Sequence, residues 1–192
     1  IRVMRGRGWT EQLAWSHDGA RLAVSAGKRV TVFDSNDLRD QAPPLYEWTD
    51  HASAVTGLAF DPRNSLRLAA ASYGGVKLWS LIAGDLERAL AWKGSMISLS
   101  WSPDGAYIAC GCQDQSVHFW RLASGADSEM SGYAAKPKAI AWCWDSSLLA
   151  TSGDATATLW DFGGRGPEGT EPIILHGHVD HVSTLSFAPK AV

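Results

Sequence analysis

The sequence LSWSPDGAYIACGCQDQSVHFWR, residues 99–121, places two tight turns between short apolar runs. The first run ends on Trp101, and SPDG follows at 102–105. In such a turn Pro presets φ, Asp hydrogen-bonds its own backbone, and Gly accepts a positive φ. A run of small residues, a second turn and a run closing on Trp120 come next. The stretch therefore predicts three short antiparallel strands joined by tight turns.

The same pattern occurs three more times along the chain. The copies are LAWSHDGARLAVSAGKRVTVFD (13–34), LAFDPRNSLRLAAASYGGVKLWS (58–80) and IAWCWDSSLLATSGDATATLWD (140–161). The closing aromatic residues are Phe33, Trp79, Trp120 and Trp160, which lie 46, 41 and 40 residues apart. Because these aromatics end interior strands, we expect them to be structural core residues.

Polar connectors lead from each closing aromatic to a further short run. These runs are LYEW (45–48), RALAW (88–92) and PIILH (172–176). Long segments with the three-and-four apolar spacing of helices are missing. Four antiparallel strands repeated about every 40 residues predict an all-β fold made of the blades of a β-propeller.

The motifs LWD (159–161), WSPDG (101–105) and GH (177–178), at this period, resemble the WD-repeat β-propeller family. The resemblance implies one propeller segment over 1–192, a fragment of a larger ring with about four complete blades. The expected boundaries are an outer strand of a preceding blade at 1–9, blades at 10–51, 52–94, 95–136 and 137–178, and at 179–192 the inner strand of a further blade. The remaining blades of the full-length chain are then its first partners.

Composition excludes several classes of function. The net charge of −3 comes without a basic block, which argues against a nucleic-acid partner. No apolar run approaches the roughly 18 residues of a membrane helix. Three cysteines at no framework spacing predict reduced thiols, and with no visible signal peptide we expect a cytoplasmic protein.

The sequence carries no pattern typical of an enzyme. Acidic residues fall mainly in turns, as with Asp104 and Asp145, and no local nucleophile motif occurs. We therefore expect no catalytic residue and no cofactor. The resemblance implies a non-catalytic scaffold that binds a protein or peptide partner.

A histidine cluster in LHGHVDHVSTLSFAP (175–189) offers an alternative. His176, His178 and His181 could converge on a metal ion, and Cys110, Cys112 and His118 could do the same. The alternative function is a propeller that serves metal binding, metal homeostasis or transport. However, the stretch aligns with EWTDHASAVTGLAF (47–60), so that His178 matches His51 as a structural turn histidine, and we expect no metal site.

In the WD-repeat family a turn His, an Asp and the closing Trp often share a buried hydrogen-bond network. By that resemblance Asp114 and Asp154, each six residues before a closing Trp, have structural roles. Trp92 and Tyr133 stand at the His positions of those two blades, so no blade carries the complete set.

Those two departures suggest a partner-binding surface. Trp92, Tyr133 and Tyr73 would form an aromatic rim near Lys28 and Lys93, which suits an extended peptide. In the alternative, Trp92 and Tyr133 fold inward and fill the space of the missing histidine.

Overall fold

The computed structural model describes residues 9–37, 43–164 and 166–189. Fifteen β-strands in four antiparallel sheets are present, and no helix occurs among these residues. The predicted all-β class is confirmed. None of the described segments forms a helix long and apolar enough to cross a membrane. The chain divides into two compact units, Ile1–Met96 and Ile97–Val192.

Unit 1 contains two sheets. The first has the order β1-β2-β3-β4, and the second has the order β5-β6-β7. Their strands are β1 (Gln12–Trp15), β2 (Arg21–Ala26), β3 (Arg29–Asp34), β4 (Tyr46–Trp48), β5 (Gly57–Asp61), β6 (Asn64–Ser80) and β7 (Leu86–Ser95).

Unit 2 also contains two sheets, each a simple antiparallel meander of four strands. The orders are β11-β10-β9-β8 and β12-β13-β14-β15. The strands are β8 (Ser100–Trp101), β9 (Tyr107–Gly111), β10 (Val117–Arg121), β11 (Asp127–Met130), β12 (Ile140–Trp142), β13 (Leu148–Gly153), β14 (Thr156–Asp161) and β15 (Ile173–Leu175).

The second sheet has three strands because β6 is a folded-back ribbon of 17 residues. The Leu81 N–H donates to the Leu66 carbonyl at 2.8 Å, which brings the two ends of β6 together. Gly74 and Gly75 reverse the chain between them, at φ +91° and +122°. A side chain at Gly75 would lie 2.0 Å from the Leu90 carbonyl oxygen, so glycine is required there. The two arms of β6 therefore take the places of the second and third strands, and the sheet has the same arrangement as the other three.

The predicted turn chemistry forms as expected. In SPDG the Asp104 carboxylate accepts the Ala106 N–H at 3.0 Å, and Gly105 takes φ +74°. The Ser102 hydroxyl accepts the Tyr107 N–H at 2.9 Å. These local bonds replace the ladder bonds that the chain loses where it turns.

Each unit has its own apolar core between its two sheets. In unit 1 the outer-strand residue Trp48 stacks on Trp79 of the following sheet, with ring centroids 4.6 Å apart. In unit 2 Met130 of β11 is buried in a cluster with Trp160 and Phe162. The outer strand of one sheet is therefore covered by the closing-strand region of the next.

Small residues in the second strands allow this close packing. Ala69, Ala70 and Ala71 are completely buried, as are Ala109 and Cys110. At the end of β9, a side chain on Gly111 would lie 1.8 Å from the Pro137 carbonyl oxygen. The neighbouring segment therefore approaches the backbone itself, which only glycine permits.

Two predicted features differ at the ends of the chain. The inner strand expected within 179–192 is not formed over the described part, 179–189, because those residues have no ladder partner within the described ranges. The outer strand expected at 1–9 lies outside the described residues except for Trp9. Leu175 is 45% exposed, whereas Trp48 at the equivalent ladder position is buried, since no described sheet follows β15. Phe33 is half-buried, while the three closing tryptophans are buried.

Replacing Trp160 by Ala should lower the free energy of unfolding by about 3–5 kcal/mol, because the change removes a large ring from the unit 2 core. Urea denaturation measures the loss. Trp9→Ala is the matched control: Trp9 is 91% exposed, and its removal should cost less than about 0.5 kcal/mol. A loss under about 1 kcal/mol for Trp160→Ala would contradict the core assignment.

Candidate functional site: the turn surface of unit 1

The site is built on a buried histidine. His51 precedes β5, and its Nδ1 lies 2.9 Å from the Lys28 carbonyl oxygen while its Nε2 lies 3.3 Å from the Trp79 indole nitrogen. The indole N–H can only donate, so Nε2 accepts and Nδ1–H donates to Lys28. Burial lowers the pKa of His51 below its ordinary value, which keeps the ring neutral for this arrangement.

The two sheets of unit 1 are also joined through backbone. The Val55 N–H donates to the Gly27 carbonyl at 2.9 Å, and the Ser53 hydroxyl accepts the Tyr73 N–H at 2.9 Å. The segment 51–55 therefore fastens the β2–β3 turn, which carries Lys28, to the β6 turn, which carries Tyr73. Side chains on both turns are held at the same end of their sheets.

Four predicted partner-binding residues lie at this end. Tyr73 is 55% exposed on the β6 turn, and Lys28 is exposed on the β2–β3 turn. On β7, Lys93 is exposed and Trp92 is half-buried. The register pairs Tyr73 with Ser95, which brings the Lys93 end of β7 beside the β6 turn. These four residues, Lys28, Tyr73, Trp92 and Lys93, are called the turn surface below.

The fifth predicted residue, Tyr133, is not on a surface. It is buried, and its hydroxyl accepts the Trp160 indole N–H at 2.7 Å and bonds the Thr151 hydroxyl at 2.7 Å. Burial raises the pKa of Tyr133 to about 12. Tyr133 thus does in unit 2 what His51 does in unit 1: it accepts the indole hydrogen bond of the closing Trp.

The two aspartates lie outside these networks. Asp114 is exposed and accepts a hydrogen bond from the Ser116 hydroxyl at 2.7 Å. The Asp154 side chain is 59% exposed, and its backbone occupies the left-handed turn position at φ +65°. The resemblance implied structural roles for both, and in the structure both stand in tight turns.

The histidine cluster of unit 2 is spread along an exposed segment. His176, His178 and His181 are all exposed, and His181 Nδ1 lies 3.7 Å from the Asp154 carboxylate. Val182 N–H donates to the Asp154 carbonyl at 2.8 Å, just as Val55 donates to Gly27. His178 therefore occupies the place of His51, but the closing Trp that would cover it has no counterpart among the described residues.

No group of three or more His, Cys, Asp and Glu side chains within the described ranges is arranged to hold a metal ion. Burial raises the pKa of Cys112 to about 11 and that of Cys110 well above its ordinary value. Both thiols are therefore protonated at neutral pH.

Sequence reasoning missed one buried charge contact in unit 2. His118 is 1% exposed in β10; its Nε2 lies 3.1 Å from the Asp127 carboxylate, and its ring meets Trp120 edge-on at 4.5 Å. Burial lowers the pKa of His118, and Asp127 opposes that shift. The strand alternation in VHFWR could have indicated an inward His, but Asp127 comes from the next strand and only the register brings it close.

The WD domain, G-beta repeat family matches residues 42–80, 88–121 and 122–161. Each matched stretch ends one residue after a closing tryptophan, namely Trp79, Trp120 or Trp160. The family's repeat therefore coincides with the repeat of strands and turns described above.

Several curated proteins are similar over much of the chain. Coronin-7 of Homo sapiens is 34% identical over 151 residues, which is 73% of this chain and 16% of that protein. WD repeat-containing protein slp1 of Schizosaccharomyces pombe is 29% identical over 76% of this chain and 30% of its own. Serine-threonine kinase receptor-associated protein of Mus musculus is 27% identical over 73% and 39%. The chain spans less than half the length of each of these relatives.

Replacing Tyr133 by Phe should lower the free energy of unfolding by about 1–2 kcal/mol, because the indole of Trp160 and the hydroxyl of Thr151 lose a buried partner. Tyr73→Phe is the control at an exposed tyrosine, with an expected change under about 0.5 kcal/mol. Equal effects for the two variants, measured by urea titration, would contradict the role given to Tyr133.

Stability should fall with acid through the buried histidine His51. Its pKa is lowered from 6.5 in the folded state, so the unfolded chain binds the proton more readily. The contribution is complete above about pH 6.5 and is lost as pH falls towards the folded value. His51→Gln should reduce the difference in unfolding free energy between about pH 7.5 and about pH 5.5.

His17→Gln, at an exposed histidine, is the control and should leave that pH difference as it is in the unchanged protein. Burial also lowers the pKa of His118, which is present in both variants. The dependence of the unfolding free energy on pH should therefore decrease in His51→Gln without vanishing. A slope unchanged by His51→Gln would refute this assignment.

Proposed function

The chain belongs to the WD-repeat family, and from that premise we propose that it is a non-catalytic scaffold that binds a protein or peptide partner. WD-repeat domains generally bind protein partners. The observation that carries the proposal for this chain is the turn surface: Tyr73 and Lys28 are exposed on turns that hydrogen bonds fasten to the segment 51–55, and Lys93 is exposed on β7 beside them.

Rigid presentation favours binding. Tyr73 stands on a turn set by two glycines and held through its own N–H by Ser53. An aromatic side chain that is already positioned loses little conformational entropy when a partner covers it. Tyr, Trp and Arg dominate the energetics of protein interfaces, and here Tyr73 has the half-buried Trp92 on the same surface.

The electrostatics of the surface favour a partner of negative charge. Lys28 and Lys93 are exposed there. The nearby Asp50 is already neutralised by Lys77 at 2.6 Å, and this ion pair keeps the pKa of Asp50 below its ordinary value. With this pair neutral, Lys28 and Lys93 give the turn surface itself positive charge, which steers an acidic segment towards it.

The chemistry of the buried groups supports a non-catalytic role. The thiols of Cys110 and Cys112 are protonated, and the imidazoles of His51 and His118 are buried in contacts with tryptophan. A nucleophile or general base must reach a substrate, and these groups are enclosed in the sheets.

The test is partner binding by the chain with Tyr73→Ala and Lys93→Glu combined. Proteins that co-purify with the tagged 192-residue chain are quantified by mass spectrometry against the variant. The variant should lose at least about tenfold of its specific partner, since each 1.4 kcal/mol of interface energy is a factor of ten. Its melting temperature should stay within a few degrees, because both side chains are exposed.

Arg63→Glu is the matched control. Arg63 is exposed on the turn between β5 and β6, at the opposite end of the same sheet. Its replacement by Glu reverses a charge there, as Lys93→Glu does on the turn surface. It should retain the partner. Equal capture by the double variant and by the unchanged chain would contradict the turn surface as the binding site.

A further inference from the structure

We propose that the outer edge of β7 binds an extended, acidic segment of the protein partner as an added antiparallel or parallel strand. This inference rests on the proposed function and names the form in which the partner is held. In β-strand addition, main-chain hydrogen bonds supply affinity and alternate side chains supply specificity.

The length of β7 sets it apart from every equivalent strand. It has 10 residues, whereas the fourth strands of the other sheets, β4, β11 and β15, have 3, 4 and 3. The order β5-β6-β7 puts it at the edge of its sheet, with a strand neighbour on one side only among the described strands. Proteins usually keep edge strands short, because a long edge is a template for another chain.

The extra length is fixed by local geometry. β7 pairs with β6 from Trp79–Leu86 to Tyr73–Ser95; the pairs from Leu78–Arg88 to Gly75–Ala91 share one register, and the register shifts once on either side of them. Gly75 permits the close approach of the Leu90 carbonyl, and the register shift between Tyr73 and Gly75 lets β7 continue past the turn. The paired part from Leu86 to Ala91 offers a peptide an edge longer than the three or four residues of the other fourth strands.

The usual protections against edge pairing are missing from the middle of β7. Proline does not occur between residues 86 and 95, and residues 89–92 carry no charge. Ala89 and Ala91 are exposed, and their small side chains leave the backbone accessible. The acidic Glu87 at the start of the strand is bound by Arg67, with Nε 2.9 Å from the carboxylate, so it does not repel an acidic segment.

The exposed lysine at the end of β7 favours an acidic peptide. β7 ends at the turn surface, where Lys93 is exposed opposite the exposed Tyr73 turn. An acidic residue of the added strand would face Lys93, and cross-strand pairs of opposite charge stabilise a ladder. The edge of β7 and the turn surface together form one continuous site for an extended acidic peptide.

The experiment uses the 192-residue chain and an array of synthetic peptides of about ten residues. In these peptides Glu or Asp alternates with Val, Ile, Thr or Tyr. The tightest binder is resynthesised with N-methyl groups on alternate amides, in both phases. One phase should bind at least about tenfold more weakly, because N-methylation removes the ladder donors while it leaves the side chains unchanged.

Two substitutions at one exposed position provide the protein-side control. Ala91→Glu should weaken the binder at least about tenfold by repulsion, whereas Ala91→Lys should leave binding equal or tighter. Both variants should keep the melting temperature of the unchanged chain, because the side chain of Ala91 is exposed. Amide exchange should slow in residues 86–95 when peptide is added.

The proposal is overturned if no acidic peptide of the array binds, if N-methylation leaves affinity unchanged in both phases, or if the two Ala91 variants behave alike. The proposed function fails separately. A partner that is lost with the Tyr73 and Lys93 substitutions but retained by Ala91→Glu binds at the turn surface by another mode. A partner retained by all of these variants contradicts the turn surface itself.

Discussion

The structure depends on one buried contact, the hydrogen bond from the indole N–H of a closing tryptophan to the residue that opens its sheet. In unit 1 the pair is Trp79 and His51, and in unit 2 it is Trp160 and Tyr133. The contact joins residues 28 and 27 positions apart in the chain, from the segment before a sheet's first strand to its closing strand. Because a buried indole without an acceptor is costly, the contact holds that opening segment in place in these two sheets.

This constraint positions the turn surface as well as the core. The second ring nitrogen of His51 bonds the Lys28 carbonyl. The histidine that accepts the indole hydrogen bond in one sheet therefore also fixes the β2–β3 turn of the sheet before it. The Tyr73 turn is fastened to the same segment through Ser53. A scaffold of this kind presents side chains from rigid strands and short turns, and it needs no ordering when a partner arrives. β7 extends that surface into a sheet edge, which is the proposed place for an extended segment to pair through its backbone.

Most of the fold could be predicted from the sequence, because it depends on local signals at a fixed period. The turn SPDG, the small-residue strands and the closing tryptophans each have one physical explanation, and all reappear in the structure. The site was harder. The missing histidine left two positions open for Tyr133, one on the surface and one inside. A phenol hydroxyl accepts an indole N–H as well as an imidazole does, so Tyr133 lies inside. The length of β7 was also not visible, since the run RALAW stops at residue 92 while the pairing that continues to Ser95 depends on the Gly75 turn.

The most direct test of the central contact is hydrogen exchange at the tryptophan indoles, followed by NMR with each signal assigned by single Trp→Phe replacement. The account predicts that the indole N–H of Trp79 and Trp160 exchanges far more slowly than that of the exposed Trp9. It further predicts that Tyr133→Phe accelerates exchange at Trp160 and leaves Trp79 unchanged, since the two hydrogen bonds lie in separate units. Exchange at Trp160 as fast as at Trp9, or equal acceleration at both buried indoles, would contradict it.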